Sequence, residues 1–73
     1  MTLKDAKLGM TVKIERLEES GLKERLMSMG FIKGTLVKVL RSAPLGDPMA
    51  VSLRSYNLSL RLADAEKIKV SLI

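Results

Sequence analysis

Residues 49–62 read MAVSLRSYNLSLRL, and the period of this stretch decides the fold. Met49, Val51 and Leu53 fall in phase, and Leu58, Leu60 and Leu62 then alternate with Ser59 and Arg61. Apolar side chains at every second position share one face of a β-strand, so the stretch predicts two short, half-buried strands. The same period appears on either side. Residues 11–17, TVKIERL, set Val12 and Ile14 against Lys13 and Glu15, with Gly9 as a turn entry. Residues 67–73, KIKVSLI, place Ile68, Val70 and Leu72 on one side. Residues 35–42, TLVKVLRS, follow the Lys33-Gly34 turn and are apolar on both faces, with Val37 and Val39 opposed to Leu36 and Leu40. One face belongs to a core; the other needs cover from a helix or a partner.

The period changes in residues 20–31, SGLKERLMSMGF. Leu22, Leu26 and Met29 recur at i, i+4 and i+7, which places them on one face of a helix of two to three turns. Ser20 is the expected N-cap, Lys23 rules out a full capping box, and Gly30 suits a left-handed stop followed by Phe31 or Ile32. Residues 63–66, ADAE, predict a single helical turn. The expected fold is therefore mainly β: a small SH3-like barrel of about five strands with one short α-helix inserted after the first. Barrel closure would hide the edge strands.

Both prolines of the chain flank one Leu-Gly-Asp, in residues 41–51, RSAPLGDPMAV. Pro44 and Pro48 cannot donate ladder hydrogen bonds, Gly46 supplies a positive φ, and Asp47 can accept backbone amides across the turn. The reading is a stiff hairpin connection that also presents Leu45 and Met49 at low entropic cost.

With 73 residues the chain is expected to be one domain, residues 1–73, built without disulfide or metal staples, since it has no Cys and no His. Its 47% hydrophobic content supplies a core instead. MTLKDAKLGM at the N-terminus has no signal-peptide core, and the longest uncharged run, LMSMGFI, is far below the roughly 18 residues of a membrane span. The expectation is a soluble, cytoplasmic protein without membrane insertion. The net charge of +5 is spread, with basic and acidic residues interleaved along the chain.

The stretch LKERLMSMGFIKG, followed by VLRSAPLGDPMAVSLRSYNLSLRLADAEKIKV, resembles the FeoA family of small ferrous iron transport proteins, and LKDAKLGMTVKI at the start fits the same pattern. Similar domains form the C-terminal SH3-like module of iron- and manganese-dependent repressors. The helical segments those repressors place first are not in this chain, so the free-standing protein is the expected match. Two positions depart from the family pattern: Lys33 stands where proline is frequent, and Ser55 where glycine precedes the aromatic. The resemblance implies a cytosolic partner of FeoB, a membrane iron transporter with a G-protein domain on its cytosolic side, which this chain would assist or regulate.

The residues do not add a convincing iron site. Only carboxylates are available, and Asp5, Glu15, Glu18, Glu19, Glu24, Asp47, Asp64 and Glu66 are mostly isolated on positions read as exposed. Met27 and Met29 are poor Fe(II) ligands and better packing or contact residues. Transition-metal binding thus enters only at the level of the family, and no cofactor is called for. Without His or Cys the usual general base and the strongest nucleophile are missing, and GFIKGT is not a P-loop, so the chain reads as a non-enzyme.

What remains is a partner-binding module. The candidate contact residues are Leu22, Met27, Met29, Phe31, Leu45, Met49 and Tyr56, with Met27 and Leu45 foremost because neither lies on the helix's main apolar stripe or in a strand. The competing class is a small RNA-binding barrel using Lys13, Lys38, Arg54, Arg61, Lys67 and Lys69. It is disfavoured because only Phe31 and Tyr56 could stack bases, and they lie on different elements. Self-association as a homo-oligomer, through the two-faced strand at Leu36 and Leu40, is a third reading.

Overall fold

The computed structural model describes residues 1–41 and 47–73. Expectations for Pro44, Leu45 and Gly46 fall outside these residues. The described residues form β1 (Thr11–Leu17), α1 (Lys23–Ser28), β2 (Leu36–Arg41), β3 (Met49–Leu53), β4 (Tyr56–Leu60), α2 (Leu62–Ala65) and β5 (Ile68–Leu72), preceded by a 3-10 turn at Leu3–Asp5. The strands make one antiparallel sheet in the order β4-β3-β2-β1-β5. Register shifts interrupt β1–β5 between Ile14 and Arg16, and β2–β3 between Val39 and Arg41. Such bulges bend a strand and raise its twist, and here they curl the sheet around its buried face.

That face holds the alternating residues. Val12, Ile14, Val37, Val39, Val51, Leu53, Ile68 and Val70 are all buried, and Leu26 and Phe31 reach the same core from α1 and its exit. The opposite face of β2 is not covered: Leu36 is 53% and Leu40 37% exposed, so α1 does not supply the cover that the two-faced pattern invited.

Curling stops short of closure among the described residues. β4 and β5 end the strand order and do not pair with each other. The outer edge of β5 is instead occupied by the N-terminus. Thr2 bridges Lys69, and the Val70 N–H donates to the Met1 carbonyl at 3.0 Å. Two local contacts hold this segment. The Asp5 carboxylate accepts from the Thr2 N–H at 3.0 Å, a bond that lowers its pKa from the ordinary range. Lys4 Nζ pairs with Glu66 at 2.8 Å, and the hydrogen bond and charge of the ammonium lower the Glu66 pKa. Both partners of the pair are solvated, so it orients the segment more than it stabilises it.

α1 is shorter than its apolar stripe, at six residues. Its N-cap is Leu22, without a side-chain cap, rather than Ser20. The Ser20 hydroxyl still accepts from the Leu22 N–H at 3.2 Å, which serves the turn before the helix. The stop is as expected. Gly30 has φ +107, the Phe31 N–H bonds the Leu26 carbonyl, and the Gly30 N–H bonds the Met27 carbonyl. This is the paired 6→1 and 5→2 pattern of a Schellman motif, and its accompanying hydrophobic residues, Leu26 and Phe31, are both buried.

Asp47 is exposed and, among the described residues, accepts from an amide of α2. Its Oδ1 takes the Leu62 N–H at 3.1 Å, one of the donors that the first turn of α2 leaves without an intrahelical partner. Pro48 sits exposed between Asp47 and β3, where pairing begins.

The β3–β4 turn consists of Arg54 and Ser55, both with positive φ, at 51 and 75. Two consecutive left-handed residues are what a two-residue hairpin needs for its twist to match the strands. A non-glycine residue there costs about 1–2 kcal/mol, partly offset by the larger unfolded-state entropy of glycine. Ser55→Gly is accordingly expected to stabilise the fold by about 0.5–1 kcal/mol. A thermal melt rising by a few degrees bears this out, and an unchanged or lower midpoint counts against it.

Candidate partner-binding groove

A groove of about 380 Å³ lies between α1 and the end of β4. Its apolar lining comes from Leu22, Leu26 and Met29 on the helix and Leu60 on the strand. Arg25, Ser59, Arg61 and Asp64 complete its polar rim. The helical period explains one wall: Arg25 lies three residues after Leu22 and four before Met29, so it shares their face. β4 and the first turn of α2 bring Arg61 and Asp64 to the other wall. The Tyr56 hydroxyl donates to the Met29 carbonyl, which ties the exit of α1 to the start of β4 and sets the spacing between the walls. Neither Arg25 nor Arg61 has a salt-bridge partner among the described residues, whose pairs are Lys4–Glu66, Lys23–Glu19 and Lys69–Glu18.

The candidate contact residues separate on folding. Leu22 and Met29 come together in the groove. Met27, 44% exposed, sits two residues from Arg25 and does not line it, and Tyr56, also exposed, is engaged by Met29. Phe31 and Met49 must be corrected: both are fully buried and make no surface. Phe31 is drawn inward by the Schellman stop, and Met49 is the first inward position of β3 rather than the end of a presenting loop. Leu45 lies outside the described residues. Arg25 was missed, although its place on the Leu22–Met29 stripe was readable. Arg61 was seen only as one of several outward basic residues, because its proximity to α1 is a long-range fact.

Among the described residues no three His, Cys, Asp or Glu side chains are placed to hold a metal ion. Carboxylates are the only strong metal donors in the chain. No helix among the described residues is long and apolar enough to cross a membrane.

A curled five-stranded antiparallel sheet of SH3 type, with a groove whose rim arginines have no salt-bridge partner among the described residues, defines a small SH3-like domain. The FeoA domain model matches residues 1–72, and the chain belongs to the FeoA family, small SH3-like domains not known as a family of enzymes. It is 40% identical, over its whole length, to the Fe(2+) transport protein A/Fe(2+) transporter FeoB fusion protein of Porphyromonas gingivalis, of which it spans 9%. Among solved structures, the FeoA-like protein of Clostridium acetobutylicum superposes with a TM-score of 0.91 at 35% identity, covering 100% of this chain and 86% of that one. The zinc-complexed FeoA of Stenotrophomonas maltophilia gives 0.90 at 25% identity, covering 97% and 89%. That protein is described as a prokaryotic SH3 domain protein and a candidate ferrous iron transport activating factor. A manganese-dependent transcriptional repressor shares the fold alone, at 19% identity and a TM-score of 0.88 over 100% of this chain and 41% of that one.

Proposed function

We propose that this chain is a cytosolic accessory protein of bacterial ferrous iron uptake, which binds an FeoB-type transporter on its cytosolic side and assists or regulates it through the α1–β4 groove. The observation that carries the reading is the fusion: a relative similar to the entire chain joins the FeoA and FeoB parts in one polypeptide. Covalent linkage turns association into an intramolecular event at high effective concentration, which is useful only when the two parts work together. The groove is the surface whose chemistry suits a contact of this kind, since it combines apolar lining with arginines that have no salt-bridge partner among the described residues, a residue type enriched at binding hot spots.

The test is a titration of the full chain against the transporter's isolated cytosolic part, with GDP and with a non-hydrolysable GTP analogue. Leu22→Ser, on the groove, is expected to weaken binding about tenfold, or about 1.4 kcal/mol, and Met27→Ala to weaken it less. Absence of binding in both nucleotide states would overturn the proposal. A larger loss for Met27→Ala would move the contact to the other side of α1.

A further inference from the structure

The two ends of the sheet are treated differently. β5 has its outer edge occupied by Met1 and Thr2, whereas β4 pairs with β3 and with no other described strand. Which backbone groups this leaves free follows from the register. Leu53 and Tyr56 flank the two-residue turn, so Leu53–Tyr56, Val51–Leu58 and Met49–Leu60 are the pairs that exchange hydrogen bonds. Ser52–Asn57 and Ala50–Ser59 alternate with them, and the N–H and C=O groups of Asn57 and Ser59 point away from β3. Among the described residues, no backbone or side-chain group outside the sheet bonds to them.

Sheet edges are normally blunted by proline, lysine or other charges, because a row of unpaired groups is a template for another strand. β4, YNLSL, carries none of these. Ser59 and Leu60 also line the groove, so the free edge and the apolar lining form one continuous surface. Its charge is set by Arg25 and Arg61, which are without salt-bridge partners among the described residues, against the single carboxylate of Asp64. The surface therefore favours an occupant with an extended backbone, an apolar side chain and negative charge.

We propose that the β4 edge is a strand-addition site for an extended acidic segment of the partner protein. The added strand would bond Asn57 and Ser59, place one apolar side chain against Leu22 and Leu60, and set a carboxylate toward Arg25 and Arg61. Main-chain bonds supply affinity in this mode and side-chain pockets supply specificity. The inference rests on the transporter reading only for the identity of the partner.

The experiment is amide hydrogen exchange on the isotopically labelled full chain, free and with saturating cytosolic part of the transporter. Strand addition slows exchange at Asn57 and Ser59 by about tenfold or more, because their N–H groups acquire partners. The double substitution Arg25→Glu with Arg61→Glu weakens binding about tenfold or more, while the fold, read by circular dichroism, persists. Ser59→Pro removes an N–H that the internal ladder does not use and is expected to abolish binding. Should that variant fail to fold, the exchange and charge-reversal measurements still decide. Binding without new protection at Asn57 and Ser59 overturns strand addition and leaves the transporter reading standing. Protection with unchanged affinity after charge reversal overturns the acidic occupant, and no binding at all overturns both proposals.

Discussion

Phe31→Ala is expected to destabilise the protein by about 3–5 kcal/mol, a loss that leaves a large fraction of the chain unfolded in plain buffer. Phe31 is the sole phenylalanine of the chain and the largest of its fully buried side chains. Truncation removes the whole ring from water-free surroundings and leaves a cavity that the sheet and α1 can only partly close. A chain of 73 residues has about 4–11 kcal/mol in total, so the loss is comparable with the whole. Urea titration followed by far-UV circular dichroism reads it directly. Phe31→Leu, which keeps much of the volume, should recover most of the stability. An alanine variant whose free energy of unfolding falls by less than about 1 kcal/mol would mean that Phe31 does not organise the core.

Gly30→Ala is the second large effect, at about 2–3 kcal/mol, and it has two causes that can be separated. The first is the backbone: at φ +107 an L side chain is strained wherever it is placed. The second is space, since a Cβ would lie 3.1 Å from Arg54 Cδ and 3.2 Å from Leu53 Cδ1. Leu53 is buried in β3 and has little room to give. Gly34 shares the positive φ, at +90, but has nothing within 4 Å of its Cβ position. Gly34→Ala should therefore show only the backbone cost, about 1–2 kcal/mol. Equal losses for the two variants would remove the close-contact argument. Because Gly30 ends α1 next to Met29, its replacement is also expected to shift the helix wall of the groove.

These two positions show how unevenly function and fold could be read from the chain. The stop at Gly30 was legible because a helix end is a local event, governed by residues within five positions of one another. The fate of Phe31 was not. An aromatic just beyond a helix reads equally as surface or as core until the path of the chain past it is known. Met49 misled for a related reason: its position next to Pro48 suggested a loop, whereas its phase with Val51 and Leu53 made it the inward start of β3. On the groove, Leu22, Arg25 and Met29 lay on one helical stripe and were recoverable from spacing. Arg61 and Asp64, 36 and 39 residues further along than Arg25, reach the same rim only because β4 and α2 pass beside α1.

The sequence by itself determined where the five strands and the short helices lie, though not their ends, and, except for the two-faced β2, which side of each strand turns inward, because period 2 and period 3.6 are properties of neighbours along the chain. It also carried the family resemblance, and with it the expectation of an accessory role. Tertiary structure alone decided the order of the strands, the partner of Asp47 in α2, and the use of Met1 and Thr2 to cover β5 while no described strand covers the β4 edge. These are pairings across long separations. Many such pairings satisfy the same alternating pattern, and the choice among them depends on packing the whole core at once.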